Sequence, residues 1–132
     1  MLTVGLTREA TTTATPADSA ALVSPLVPEV YASTRMIGFA EATCAALMAE
    51  HLPPGETSLG VAFQFTHEAA TPIGMTVRMR VRLAEIDRKR CVFEIEAHDA
   101  VERIATGRHE RFIVERERFM ARVTAKAAKA GS

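Results

Sequence analysis

Glu41 interrupts a run that otherwise reads as a buried helix, Arg35-Met-Ile-Gly-Phe-Ala-Glu-Ala-Thr-Cys-Ala-Ala-Leu-Met-Ala49. On a helix its neighbours three and four residues away are Ile37, Gly38, Cys44 and Ala45, and none offers a compensating charge. A carboxylate so placed must face solvent, find a partner from elsewhere in the chain, or give up its charge. Such groups concentrate at functional sites, which makes Glu41 the leading acid, base or nucleophile candidate. The plain alternative is a narrow solvated stripe on the helix.

Two further side chains complete a reactive set. Ser33 stands at the entrance of the helical run, and His67 closes the alternating stretch Leu59-Gly-Val-Ala-Phe-Gln-Phe-Thr-His67. A lone histidine on an apolar face is ordinarily structural, bonded to a backbone carbonyl. If that face packs on the helix, however, the imidazole is aimed toward the region of Glu41. A hydroxyl, an imidazole and a carboxylate on facing elements supply nucleophile, base and orienting group. Gly60 falls on the opposite strand face from His67 by simple alternation. An interior strand glycine marks a bulge or a close backbone approach, or relieves curvature. Its N–H is also a candidate donor to a carbonyl oxygen or the oxyanion formed from it.

Other chemistry-bearing residues have plainer readings. Arg78, Arg80 and Arg82 form a basic row, read first as a solvated face paired across strands with Glu94 and Glu96, with phosphate binding as the alternative. His98-Asp99 and His109-Glu110 are weaker candidates, and His98 shares the face of Glu94 and Glu96. The sequence has no phosphate-binding glycine loop, no dinucleotide fingerprint and no Cys/His metal spacing. Basic residues interleaved with aromatics, the mark of nucleic-acid binding, are also missing.

The elements that must position these residues are legible from period. The helix is expected from Ser33 or Thr34, either of which can cap it, to His51-Leu52, because Pro53-Pro-Gly55 cannot continue it. The period then changes from 3.6 to 2. After the turn Pro72-Ile-Gly74, the residues Met75, Val77, Met79, Val81 and Leu83 alternate with Thr76 and the three arginines, a half-buried strand. Asp87-Arg-Lys89 turns the chain, and Cys91, Phe93, Ile95 and Ala97 form the next apolar face. A last strand runs from about Ile104 to Val114. Ahead of the helix, Leu6 to Ala14 reads as a β-branched strand or a mobile lead-in. Pro16-Ala-Asp-Ser19 is a turn or helix start, and Ser24 to Pro28 is a proline-punctuated loop. The tail over 116–132 is rich in Ala, Lys and Arg and ends in a short helix or frays.

A helix apolar nearly all round, followed by an antiparallel meander, demands a sheet curled about the helix. The expected class is α+β with a hotdog fold, a long central helix wrapped by a curved antiparallel sheet, as one domain over 1–132. Its 132 residues suffice for a single core. The chain is 48% hydrophobic and 24% charged, which suits a globular protein. Lys+Arg and Asp+Glu both number 16, so no overall field attracts nucleic acid or a membrane surface, and self-repulsion is low enough to allow homo-oligomers. Cys44 and Cys91 lie in apolar runs and read as reduced core thiols. Without a signal-peptide pattern or a bilayer-length apolar stretch, cytoplasm is the expected compartment.

At these residues the chain resembles the fluoroacetyl-CoA thioesterase family of single-hotdog proteins. The matching stretches are Pro28-Glu-Val-Tyr-Ala-Ser33, Met36-Ile-Gly38 with Glu41, Gly55-Glu-Thr-Ser-Leu-Gly60, Thr66-His67, Ala69-Ala-Thr-Pro72, Ala97-His-Asp99 and Gly107-Arg-His-Glu-Arg111. They occur in the same order from the proline loop nearly to the C-terminus. The resemblance implies hydrolysis of an acyl-CoA thioester by a hydroxyl residue, a glutamate and a histidine, here Ser33, Glu41 and His67. It also implies a homodimer, with CoA present only as part of the substrate and no other cofactor. Gly60 matches a glycine associated with the substrate carbonyl. Two departures bear on specificity. Thr34 replaces a glycine beside the hydroxyl residue, so either hydroxyl is available, and Val27 replaces a phenylalanine that gates the acyl pocket. The resemblance therefore implies a short- or medium-chain acyl-CoA thioesterase without strict fluoroacetyl preference. The rivals are enoyl-CoA hydration on the same fold and a non-catalytic binder of acyl-CoA or another hydrophobic ligand.

Overall fold

The computed structural model describes residues 1–131. A strand β1 (Thr7–Thr13) is followed by a 3-10 turn (Pro16–Asp18), a short helix α1 (Ala20–Val23) and the long helix α2 (Ser33–His51). Then come β2 (Glu56–His67), β3 (Thr76–Asp87), β4 (Arg90–His98), β5 (Arg103–Glu115) and the helix α3 (Arg116–Ala130). The expected lead-in is thus a strand, and the tail is a full helix of 15 residues. All strand pairings are antiparallel, in the order β1-β3-β4-β5-β2, which leaves β1 and β2 at the edges.

The alternating residues form the core as expected. Val77, Met79, Val81 and Leu83 of β3 and Cys91, Phe93, Ile95 and Ala97 of β4 are buried, and Met36, Ala40, Cys44, Leu47 and Met48 of α2 pack on them. Both cysteines are free and buried. Outside, the basic row meets acids across the strands, Arg82 with Glu94 at 3.7 Å and Arg80 with Glu9 at 3.8 Å. Among the described residues, no helix is long and apolar enough to cross a membrane.

The sheet packs on α2 as the expected hotdog fold requires, and Gly38, Ala42 and Ala49 remain exposed with Glu41. One expectation about α2 is corrected. Neither Ser33 nor Thr34 caps it. The N-cap is Ala32, whose side chain cannot cap, and Ser33 is already the first helical residue, with its hydroxyl on His67. The helix entrance is held instead by backbone: Ala32 N–H donates to Asp18 O at 2.9 Å and Tyr31 N–H to Thr71 O at 2.9 Å. Thr71 is itself fixed by donating to Asp99 at 2.9 Å. At the other end α2 stops before Pro53, as its ring requires.

Candidate active site

Ser33 is the first residue of α2 and His67 the last of β2, and the antiparallel run of these elements brings them together. Ser33 Oγ lies 2.6 Å from His67 Nδ1. The other imidazole nitrogen, Nε2, is buried and has no hydrogen-bond partner among the described residues. A buried polar atom without a partner is costly in a folded protein, and a catalytic role is one reason for keeping it. Of the two adjacent hydroxyls, Ser33 is the one that meets the imidazole. Thr34 turns to a separate cavity of about 270 Å³ shared with Tyr31, Gly38 and Phe39.

Glu41 lies elsewhere. Eight residues of helix separate it from Ser33, about 12 Å along the axis at 1.5 Å per residue. His67 therefore does not point at Glu41, contrary to the reading from strand alternation. The carboxylate is half-exposed, and its polar neighbours come from β5: Arg111 Nη1 at 3.9 Å and His109 Nε2 at 4.0 Å. This answers the question raised by the helix sequence, since Glu41 keeps solvent on one side and has a distant cationic partner on the other.

Gly60 makes that contact possible. A β-bulge between Gly60 and Ala62 shifts the register of β2 against β5 and turns Val61 outward, 59% exposed. The inserted residue reverses alternation, so Gly60 lies on the inner face with Ser58, Phe63, Phe65 and His67 rather than opposite them. A Cβ there would stand 2.4 Å from Glu41 Oε2 and 3.1 Å from His109 Cε1. Gly60 is therefore both a bulge glycine and a point of close approach. Val27 sits in the loop before α2 and is 40% exposed.

Arg111 was not singled out from the sequence, yet it anchors this half of the site. Its Nε donates to Ser58 Oγ at 2.9 Å, its Nη2 to Ser58 O at 2.9 Å and its Nη1 to His109 Nε2 at 3.1 Å. Burial lowers the pKa of Arg111 from its ordinary value, with Glu41 opposing. The same burial lowers His109 and pushes the Cys44 thiol beneath the site up to about 12. The signal was available: Ala105, Gly107, His109, Arg111 and Ile113 share one strand face, and two charged or titratable residues on an inward face need a reason.

A five-stranded antiparallel sheet packed on one long helix, with a hydroxyl–imidazole pair at the helix entrance, defines a hotdog protein. A hot-dog-like protein from Thermanaerovibrio acidaminovorans superposes with a TM-score of 0.88, at 23% identity over 93% of this chain and 91% of that one. That likeness speaks to fold alone.

The sequence specifies the family. The model of the family described as "FlK: Fluoroacetyl-CoA-specific thioesterase" matches residues 14–117, and the chain belongs to that family. It is 43% identical over 99 residues to a fluoroacetyl-CoA thioesterase of Streptantibioticus cattleyicolor, covering 75% of this chain and 71% of that protein. The crystal structure of the fluoroacetyl-CoA thioesterase FlK matches with a TM-score of 0.89 and 36% identity, covering 96% and 98% of the two chains. A phenylalanine-to-alanine mutant of FlK, solved with fluoroacetate and CoA, matches with a TM-score of 0.83 and 35% identity over 89% and 99%.

Proposed function

We propose that this protein hydrolyses short- or medium-chain acyl-CoA thioesters to the free acid and CoA, without strict preference for the fluoroacetyl group. The observation that carries the reading is the 2.6 Å contact between Ser33 Oγ and His67 Nδ1 at the mouth of α2. A thioester carbonyl is electrophilic and its thiolate leaves readily, so modest activation of a nucleophile is enough. Glu41 attacks the carbonyl or activates the water that does so. His67 moves the proton to the departing sulfur, and Ser33 orients substrate or carboxylate. Gly60 lies beside the carbonyl. CoA enters only as substrate, and the reaction asks for no metal or other cofactor. Val27, smaller than the phenylalanine at the family's gate, leaves room for acyl groups larger than fluoroacetyl.

The reading includes a homodimer in the cytoplasm. The hydroxyl–imidazole pair and the carboxylate of one chain lie too far apart to act on one carbonyl. The uncovered side of α2 and the free edge of β2 are surfaces that a second copy would close. In such a dimer Glu41 serves the Ser33–His67 pair of the other chain. A binder that has lost activity draws support only from Thr34 in place of glycine, and the Ser33–His67 bond weighs against it.

The test is thiol release from a panel of acyl-CoAs, fluoroacetyl-CoA included, with Glu41→Ala and His67→Ala as controls. Turnover abolished by both substitutions in a folded dimer is the expected result. Loss of a conjugated double bond without thiol release would assign hydration instead, and ligand binding without turnover would assign a binder. Mixing Glu41→Ala with Ser33→Ala chains restores part of the activity if sites are shared between subunits. No recovery in a mixture shown to exchange subunits refutes the shared site.

A further inference from the structure

His109 and Arg111 stand two residues apart on the inner face of β5, 1% and 5% exposed. A guanidinium removed from water needs an acceptor for its N–H groups, and a buried imidazole must commit to one tautomer. Both demands are met by the same chain of contacts. His109 Nδ1 lies 2.9 Å from the Ala62 carbonyl, which only accepts, so Nδ1 carries the proton. Arg111 Nη1 lies 3.1 Å from His109 Nε2, and a guanidinium only donates, so Nε2 presents its lone pair. The imidazole is thereby fixed as neutral with its proton on Nδ1. Ala62 directly follows the bulged Val61, where the ladder between β2 and β5 is broken.

The surroundings agree with that state. Burial and the positive charge of Arg111 disfavour protonation of His109, while the Ala62 carbonyl, Glu41 from α2 and Glu110 from β5 oppose them. The Phe63 ring of β2 lies against the imidazole with centroids 4.6 Å apart, which closes the third side. A second proton on Nε2 would set two donors against each other at the Arg111 contact.

We propose that His109 is a positioning residue: its Nε2 lone pair holds Nη1 of Arg111, and the guanidinium so held sets the place of the Glu41 carboxylate. Nη1 has two hydrogens, one engaged by His109 and one left for the carboxylate 3.9 Å away. This rests on Glu41 as the reacting acid of the proposed thioesterase. Ser58 fixes the other edge of the guanidinium through Nε and Nη2, so His109 alone determines how Nη1 is engaged on the side of Glu41.

The test compares His109→Gln with His109→Leu. A glutamine oxygen can accept from Arg111 without titrating, and a leucine cannot. The glutamine variant is expected to keep kcat within about 5-fold, while leucine lowers kcat by about 100-fold with KM moved less than about 3-fold. A leucine variant with wild-type kcat, or a glutamine variant no better than leucine, overturns the proposal. Because leucine leaves a buried N–H without an acceptor and can unfold the chain, ¹⁵N NMR of the histidines in the unaltered protein supplies a second reading. At neutral pH His109 is expected with Nδ1 protonated and Nε2 bare; a proton on Nε2 overturns the proposal. The NMR result does not depend on turnover, so it separates failure of this relay from failure of the thioesterase reading.

Discussion

Gly60→Ala separates two roles that one glycine can play beside a reacting carbonyl. Alanine keeps the backbone N–H, and Gly60 is not among the glycines with positive φ, so the substituted residue fits the backbone. What it adds is a methyl carbon 2.4 Å from Glu41 Oε2. Ordinary contact begins at 3.4 Å, so the carboxylate must retreat by about 1.0 Å. Glu41 is 51% exposed and can swing into solvent, but the methyl also stands 3.1 Å from Cε1 of buried His109, which must give by a few tenths of an ångström. The loss of backbone freedom in the unfolded chain favours alanine by about 0.4–1 kcal/mol and offsets that strain, so stability should change little. Activity is another matter. A displacement of about 1 Å at a reacting group costs about 100-fold in rate, or about 2.7 kcal/mol of barrier. The assay is kcat for thiol release on the best acyl-CoA, paired with thermal unfolding. The expected result is a kcat lowered about 100-fold at a little-changed Tm. A kcat within about 3-fold of wild type would refute the steric argument and leave the N–H as the whole contribution of Gly60.

Ser33 and the buried thiol and phenol each make a further prediction. Ser33→Ala should lower kcat by about 100-fold or more, Ser33→Thr should retain most of it, and Thr34→Ala should stay within about 3-fold, all read by steady-state kinetics; equal losses at Ser33 and Thr34 would contradict the single contact with His67. Tyr31 and Cys44 are both pushed up to about 12, in each case chiefly by burial, from ordinary values of 10.0 and 9.0. Between those values and about 12 the folded state holds protons that the unfolded chain has released, so stability falls as pH rises through that window. Denaturant unfolding from pH 8 to 11 checks this, and Tyr31→Phe should flatten the upper part of the decline.

The parts of the fold legible in the sequence are those whose environment repeats with the backbone. Met79, Val81 and Leu83 alternate with Arg80 and Arg82 because one face of β3 meets α2 and the other meets water. The same physics wrote Phe93, Ile95 and Ala97. The bulge in β2 is a single inserted residue, and a period-2 reading has no means of counting it, which puts Gly60 on the wrong face; His67 lies on the inner face as alternation expects, but at the helix entrance beside Ser33, about 12 Å along α2 from Glu41. Ser33 is legible as a hydroxyl at a helix entrance but is not the cap, because the cap falls one residue earlier, at Ala32, and the hydroxyl of Ser33 meets the imidazole at the end of β2. Arg111 escaped notice for a different reason. A strand of Arg, His and Glu residues looks solvated until its alternation is followed inward, where Ser58, His109 and Glu41 supply the partners a buried guanidinium needs.

The separation of Ser33 from Glu41 is itself fixed by secondary structure. A helix advances 1.5 Å per residue, so no rotamer of Glu41 can cross about 12 Å to the hydroxyl eight residues before it. Within one chain the carboxylate is held beside Arg111 and Gly60, while the hydroxyl–imidazole pair waits at the helix entrance with one nitrogen unpartnered. The helix side carrying Glu41 is lined with Gly38, Ala42 and Ala49, residues small enough for a second backbone to approach closely. Two such helices packed antiparallel would bring the carboxylate of each toward the entrance of the other. In that arrangement the acid that looked stranded in an apolar helix would face the neighbouring chain's helix entrance, with Arg111 of its own chain 3.9 Å from the carboxylate.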